Sequence, residues 1–128
     1  MPTFTVDQQK AIDVEGSNII VSAGAGSGKT AVLSERVLRK LRANVPINKL
    51  LILTFTNEAA NEMKERIRKK IGEEKTLVSQ LDLLDSAYIT TFDSFSLSMV
   101  RKYHYLLNVS RNISILDASI VNIKKKEF

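Results

Sequence analysis

The sequence contains no cysteine, which excludes disulfide cross-links and thiolate metal sites. That is compatible with a reducing cytoplasm, the compartment expected for it. There is one histidine, His104 in RKYHYLL, too few for a metal cluster and read here as an ordinary surface or packing residue. No apolar run approaches the roughly 18 residues of a membrane-spanning helix, and the opening MPTFTVDQQK lacks the basic-then-apolar layout of a signal peptide. Neither membrane insertion nor export is therefore expected. Internal repeats and low-complexity segments are absent too.

What remains is a chain of 128 residues, 44% hydrophobic, suited to one domain with a core of ordinary size. Its formal net charge of +5 suits a polyanionic partner but is common in proteins that bind nothing charged. The distribution is more informative than the sum. Ten of the nineteen basic residues (Arg36, Arg39, Lys40, Arg42, Lys49, Lys64, Arg66, Arg68, Lys69 and Lys70) fall between Glu35 and Lys70, against four acids. A helix face of this kind permits nucleic-acid binding, although many such faces are only solvated.

Along the chain, helical and strand patterns alternate. Thr5 and Gln8 are spaced as a capping box, so a helix is expected from near Thr5 with Ala11 and Ile12 on its apolar side. Asn18 to Ser22 predicts a first strand. After a glycine loop, a helix should bury Leu33, Val37, Leu38 and Leu41 and end before Pro46. LLILTF predicts a second strand, and its continuous apolar character marks one covered on both faces. Thr56 or Asn57 should cap a helix carrying Ala60, Met63, Ile67 and Ile71 at helical spacing, with Gly72 stopping it. Residues 73–85 allow a short helix or a surface loop. AYITTF predicts a third strand, followed by a helix with Phe95, Met99, Val100 and Tyr103 on one side, and NISILDASIVNI allows a short strand and the start of another helix. This order predicts a three-layer α/β domain on a parallel sheet with right-handed crossovers.

The loop carries the chemistry. In AGAGSGKT, Gly24, Gly26 and Gly28 let the backbone approach and wrap an anion where a Cβ would obstruct it. Strand, glycine loop and helix stand in the order that a nucleotide-phosphate cradle requires. Lys29 would reach the outer phosphates as a point charge, and Thr30 would offer its hydroxyl to Mg²⁺ at a helix start whose dipole favours negative charge. Ala23 stands where the usual pattern has its first glycine, a tolerated variant. Glycine-rich turns also join strands to helices with no ligand, but Gly-Lys-Thr between these two elements argues for a cradle built from Ala23, Gly24, Ala25, Gly26, Ser27, Gly28, Lys29 and Thr30.

Taken with its neighbours, the loop resembles the N-terminal end of superfamily 1 DNA helicases of the UvrD/Rep type, and AddA-like helicase-nuclease subunits most nearly. FTVDQQKAI looks like their glutamine motif, AGAGSGKT like motif I, LTFTNEAANEMKERI like motif Ia, and ITTFDSFSLSMVRKY like the motif called Ib or Ic. The ordered set covers Phe4 to about Asp117. The resemblance implies an incomplete P-loop NTPase (RecA-like) fold for residues 1–128, the N-terminal part of helicase domain 1A, using ATP and Mg²⁺. It implies that Gln8 reads adenine through its amide, which the capping box with Thr5 does not preclude. It also implies that Thr54, Phe55, Thr56, Asn57 and Ala60, with Thr91, Phe92 and Ser94, lie along single-stranded DNA. From the residues alone, the same turn reads as a strand end and helix cap with Phe55 in the core.

Two departures qualify this expectation. Many relatives have histidine where this chain has Asp93, and an aspartate repels phosphate, so it is expected as an N-cap or first-turn acid instead. Furthermore, no apolar run is followed by the Asp-Glu pair that holds Mg²⁺ and polarises water in the family; Asp85 and Asp117 are single acids. The chain is accordingly expected to be the gripping front end of an ATP-dependent helicase of repair or recombination, poorly active without further helicase domains or a partner subunit. The rivals are a non-enzymatic nucleotide- or nucleic-acid-binding module and a P-loop kinase or other small-molecule ATPase.

Overall fold

The computed structural model describes residues 3–26, 28–116 and 125. Helix α1 (Val6–Asp13) begins at the expected capping box: the Thr5 hydroxyl accepts from the Gln8 amide at 3.2 Å, and the Gln8 Oε1 accepts from the Thr5 amide at 2.8 Å. Ala11 and Ile12 are its buried side. Helix α2 (Lys29–Arg42) buries Val37, Leu38 and Leu41 as expected, adds Ser34, and leaves Leu33 partly exposed. A 3₁₀ turn at Ile47–Lys49 leads into strand β1 (Leu51–Thr54). Helix α3 (Asn57–Glu73) follows, capped by the Thr56 hydroxyl on the Ala59 amide at 3.1 Å. Its buried residues are Ala60, Met63, Ile67 and Ile71, the set its spacing predicts. The unclear stretch 73–85 resolves into a 3₁₀ turn at Lys75–Leu77 and the short helix α4 (Gln80–Leu84). Strand β2 (Tyr88–Thr91) then runs directly into α5 (Phe92–Lys102), with α6 (His104–Leu107) behind it.

The sheet of the described residues is β1 and β2 alone, parallel, with Leu51 opposite Tyr88 and Thr54 opposite Thr91. A parallel pair needs a long crossover, which α3 and α4 supply. One contiguous core fills the space between α2, α3 and this sheet: Leu38, Ile47, Ile67, Ile71 and Leu84 are essentially inaccessible, with Ile52 and Ile89 closing it from the strands.

Three expectations need correction. The segment Asn18 to Ser22 forms no strand, because no described strand lies beside it; Ile20 is 96% exposed. The three-layer arrangement is correspondingly reduced to a two-stranded sheet with helices. Strand β1 is not covered on both faces, since Ile52 is buried while Leu51 is half exposed. Nor does Gly72 stop α3, which runs one residue past it to Glu73 without a left-handed glycine. On α5, Phe95, Met99 and Val100 are half-buried while Tyr103 is exposed. Residues 112–116 form neither strand nor helix, and the remainder of that expected strand and helix lies outside the described residues.

The basic stretch also looks different once folded. Arg39, Lys40, Arg42, Lys64, Arg66, Arg68 and Lys70 all have carboxylate partners, many from distant sequence, so the excess is largely neutralised. At the centre of this arrangement Glu35 joins α2 to α3, meeting Arg42 and Lys70 at 3.0 Å each; Arg42 also binds Glu74. Burial pushes the Glu35 carboxyl up, but the bonds and charges of Arg42 and Lys70 outweigh it and hold it below its ordinary value of 4.5. A carboxyl depressed on folding contributes stability above its unfolded pKa, and that contribution is lost as pH falls through the folded pKa. Glu35→Gln is therefore expected to lower the melting temperature near neutral pH and to make little difference at about pH 3, where both chains carry a neutral group. An equal deficit at both pH values in thermal melts would contradict this.

Candidate functional site

Each of the four longest helices must satisfy the amides of its first turn. In three of them a threonine hydroxyl does so: Thr5 for α1, Thr56 for α3 and Thr91 for α5. Helix α2 is the exception. Its cap is Gly28, with no side-chain cap bond and no acid in the first turn. Its positive end thus faces solvent without a local anion, at the end of the glycine loop.

The loop geometry fits this role. Gly26 and Gly28 have φ of +75° and +78°, a region costly for other residues, and together they turn the chain into α2. A Cβ on Gly28 would also meet the Gln8 Nε2 at 3.2 Å. Gly24, by contrast, has ordinary backbone and open space around it, so its need for glycine is not visible in this conformation. Ser27 lies outside the described residues. The Lys29 Nζ curls back to donate to the Ala23 carbonyl at 3.1 Å, across the mouth of the loop, and remains exposed. A bond of this kind is readily exchanged for a stronger one to an anion. Thr30 follows, exposed, in the first turn.

Two clefts meet at Lys29. One, of about 710 Å³, is lined by Gln8, Ala23, Gly26 and Lys29 with the apolar walls Ala11, Val21 and Val32. The other, of about 530 Å³, runs from Lys29 and Thr30 to Thr54, Phe55 and Thr56. The α2 N-terminus is therefore continuous with the turn after β1.

That turn carries a feature which sequence reasoning did not anticipate. Because Thr54 and Thr91 are register partners, the next residue of each strand, Phe55 and Phe92, emerges side by side at the carboxyl edge of the sheet. Their ring centroids lie 5.5 Å apart at 31°. Phe55 is 92% exposed and Phe92 49%, so Phe55 is not in the core. The available signal was the repetition of Thr-Phe at two strand ends, LTFTN and TTFDS. Around the pair, Asn57 is exposed and Ser94 half-buried. The Thr54 hydroxyl is bonded to the Thr56 carbonyl at 3.0 Å. Ala60 and Thr91 are buried; the Thr91 hydroxyl accepts from the Ser94 amide at 3.1 Å and donates to the Ser94 hydroxyl at 2.9 Å. Asp93 is the first-turn acid of α5, as expected. Asp85 pairs with Lys64 and Arg68 on α3, whereas Asp117 lies outside the described residues. No described helix is long and apolar enough to cross a membrane.

Comparison with known proteins agrees with this layout. The family model of the UvrD/REP helicase N-terminal domain matches residues 4–127. The chain is 46% identical over 123 aligned positions to the AddA protein of the ATP-dependent helicase/nuclease of Lactobacillus gasseri, covering 91% of this chain and 10% of that protein. Proteins of the same name in Alkaliphilus oremlandii and Clostridium novyi are each 46% identical, over 99% and 97% of this chain and 11% of theirs. This chain thus spans about a tenth of the length of those curated relatives.

Proposed function

Since the chain belongs to the UvrD/REP helicase N-terminal domain family, we propose that it is the ATP-gripping and single-stranded-DNA-gripping part of an ATP-dependent DNA helicase of repair or recombination, working in the cytoplasm. The observation that carries this reading is the uncapped N-terminus of α2, entered through Gly26 and Gly28 and overhung by Lys29. Loop amides and the start of α2 would hold the phosphates, Lys29 would neutralise the outermost ones, and the Thr30 hydroxyl would face Mg²⁺. Gln8 would meet the adenine. ATP supplies a phosphoanhydride whose hydrolysis drives movement; this chain's residues bind and orient it. With no Asp-Glu pair after an apolar run, residues 1–128 alone are expected to hydrolyse it slowly. The remaining helicase domains, or a partner subunit, would complete the site.

For DNA, the support is the exposed Phe55 and Phe92 pair beside the Thr56, Asn57 and Ser94 polar groups, at the strand ends where ligands of parallel sheets gather. Ala60 and Thr91 hold this surface from beneath. Because the basic helix faces are mostly paired, stacking should carry much of the affinity. Phe55→Ala is expected to weaken binding of a short single-stranded oligonucleotide about 5- to 100-fold, the range of a lost base–aromatic stack, and affinity should decline as salt rises. Fluorescence anisotropy checks both. Unchanged affinity in Phe55→Ala, or a flat salt response, would favour a P-loop enzyme of small molecules instead.

A further inference from the structure

We propose that Arg36 is a positioning residue that holds the Gln8 amide against the phosphate-binding loop. The Nη1 of Arg36 donates to three carbonyls at the end of α1, those of Ala11 at 2.9 Å, Ile12 at 3.2 Å and Val14 at 2.8 Å. Arg39, one turn further along α2, adds a bond to the Asp13 carbonyl. The last carbonyls of a helix lack partners within it and carry partial negative charge, so a guanidinium there satisfies both needs.

This grip matters because α1 has only eight residues. A helix that short has little stability of its own in water, and its placement depends on what holds it. Ala11 and Ile12 pack beneath, while Arg36 and Arg39 fix the end. Gln8 sits one turn before Ala11, on the same short rod. Its Oε1 is locked to the Thr5 amide, and its Nε2 lies where a Cβ on Gly28 would be crowded at 3.2 Å. Arg36 in turn is two turns along α2 from Lys29. One side chain thus ties the proposed adenine reader to the helix that carries the proposed phosphate binders, and Arg36, Gln8 and Lys29 line the same cleft. A lysine could not reproduce the grip, because its ammonium is a compact point charge without the planar fork of donors.

The inference rests on the reading of Gln8 as the adenine contact, and the test separates the two. Affinities for ADP and for inorganic pyrophosphate are measured by calorimetry on wild type, Gln8→Ala, Arg36→Met, Arg36→Lys and the doubles with Gln8→Ala. The quantity of interest is the preference for ADP over pyrophosphate, which a general loss of folding does not lower selectively. Gln8→Ala should reduce it about 5- to 10-fold and Arg36→Met about 3- to 10-fold, with Arg36→Lys between Arg36→Met and wild type. In the Gln8→Ala background the Arg36 changes should add nothing, since both act through one contact. If Arg36→Met melts, Arg36→Lys, which keeps a cation on α1, decides the matter. An unchanged preference in Gln8→Ala would remove the adenine reading and the proposal with it. A lowered preference in Gln8→Ala together with unaltered preference in the Arg36 variants, or additive effects in the doubles, would overturn the positioning role alone.

Discussion

Lys29→Ala is expected to bind ADP or ATP about 10- to 100-fold more weakly than the native chain while folding equally well. The size follows from the bonds at stake: a hydrogen bond to a charged group contributes about 1.5–3 kcal/mol, and every 1.4 kcal/mol is tenfold in affinity. Folding should be spared because the Lys29 side chain is exposed and its bond in the structure is to the Ala23 carbonyl, on the loop itself. The change therefore removes a ligand contact without opening the core. Titration of a fluorescent nucleotide into both chains, with melting curves alongside, measures each half of this expectation. Equal affinities would mean that the ammonium meets no phosphate.

The second large effect concerns what keeps the loop in place. Ile67 is fully buried in the middle of α3, in the cluster that includes Leu38 of α2 and Ile52 and Ile89 of the strands. Ile67→Ala should lower the unfolding free energy by about 2–5 kcal/mol, combining lost transfer energy with the cavity left behind. Against a typical total of about 5–15 kcal/mol, that is a large fraction. An exposed counterpart, Val6→Ala, should change it by less than about 0.5 kcal/mol. Urea titrations of the two variants would show the contrast; equal midpoints would contradict the core as described.

Features set by neighbours in sequence were legible before the structure, and features set by distant partners were not. The capping box of Thr5 and Gln8 and the buried stripe of Ala60, Met63, Ile67 and Ile71 depend on spacings of three or four residues, which a helix converts directly into contact. Gly72 misled because glycine permits a helix end without requiring one. Asn18 to Ser22 has the composition of a strand, but a strand exists only when another pairs with it. In the same way, the basic run between Glu35 and Lys70 suggested an open cationic face, whereas Glu74 and Asp85 reach back to neutralise parts of it. The Phe55 and Phe92 pair depends on the register of β1 against β2, so only the repeated Thr-Phe hinted at it. Of the candidate site, the phosphate loop was legible almost completely, because its function resides in consecutive backbone groups.

The central claim is that those backbone groups, from Gly24 to Thr30, grip a chain of phosphates. Its most direct test is to follow the amide resonances of the chain by two-dimensional NMR while inorganic pyrophosphate, and then ADP with Mg²⁺, are added. The account predicts that the amides of Gly26, Gly28, Lys29 and Thr30 shift together and saturate at one affinity, while those of Ile52 and Ile89 in the sheet stay fixed. Binding that leaves the loop amides unmoved and shifts another surface would contradict it.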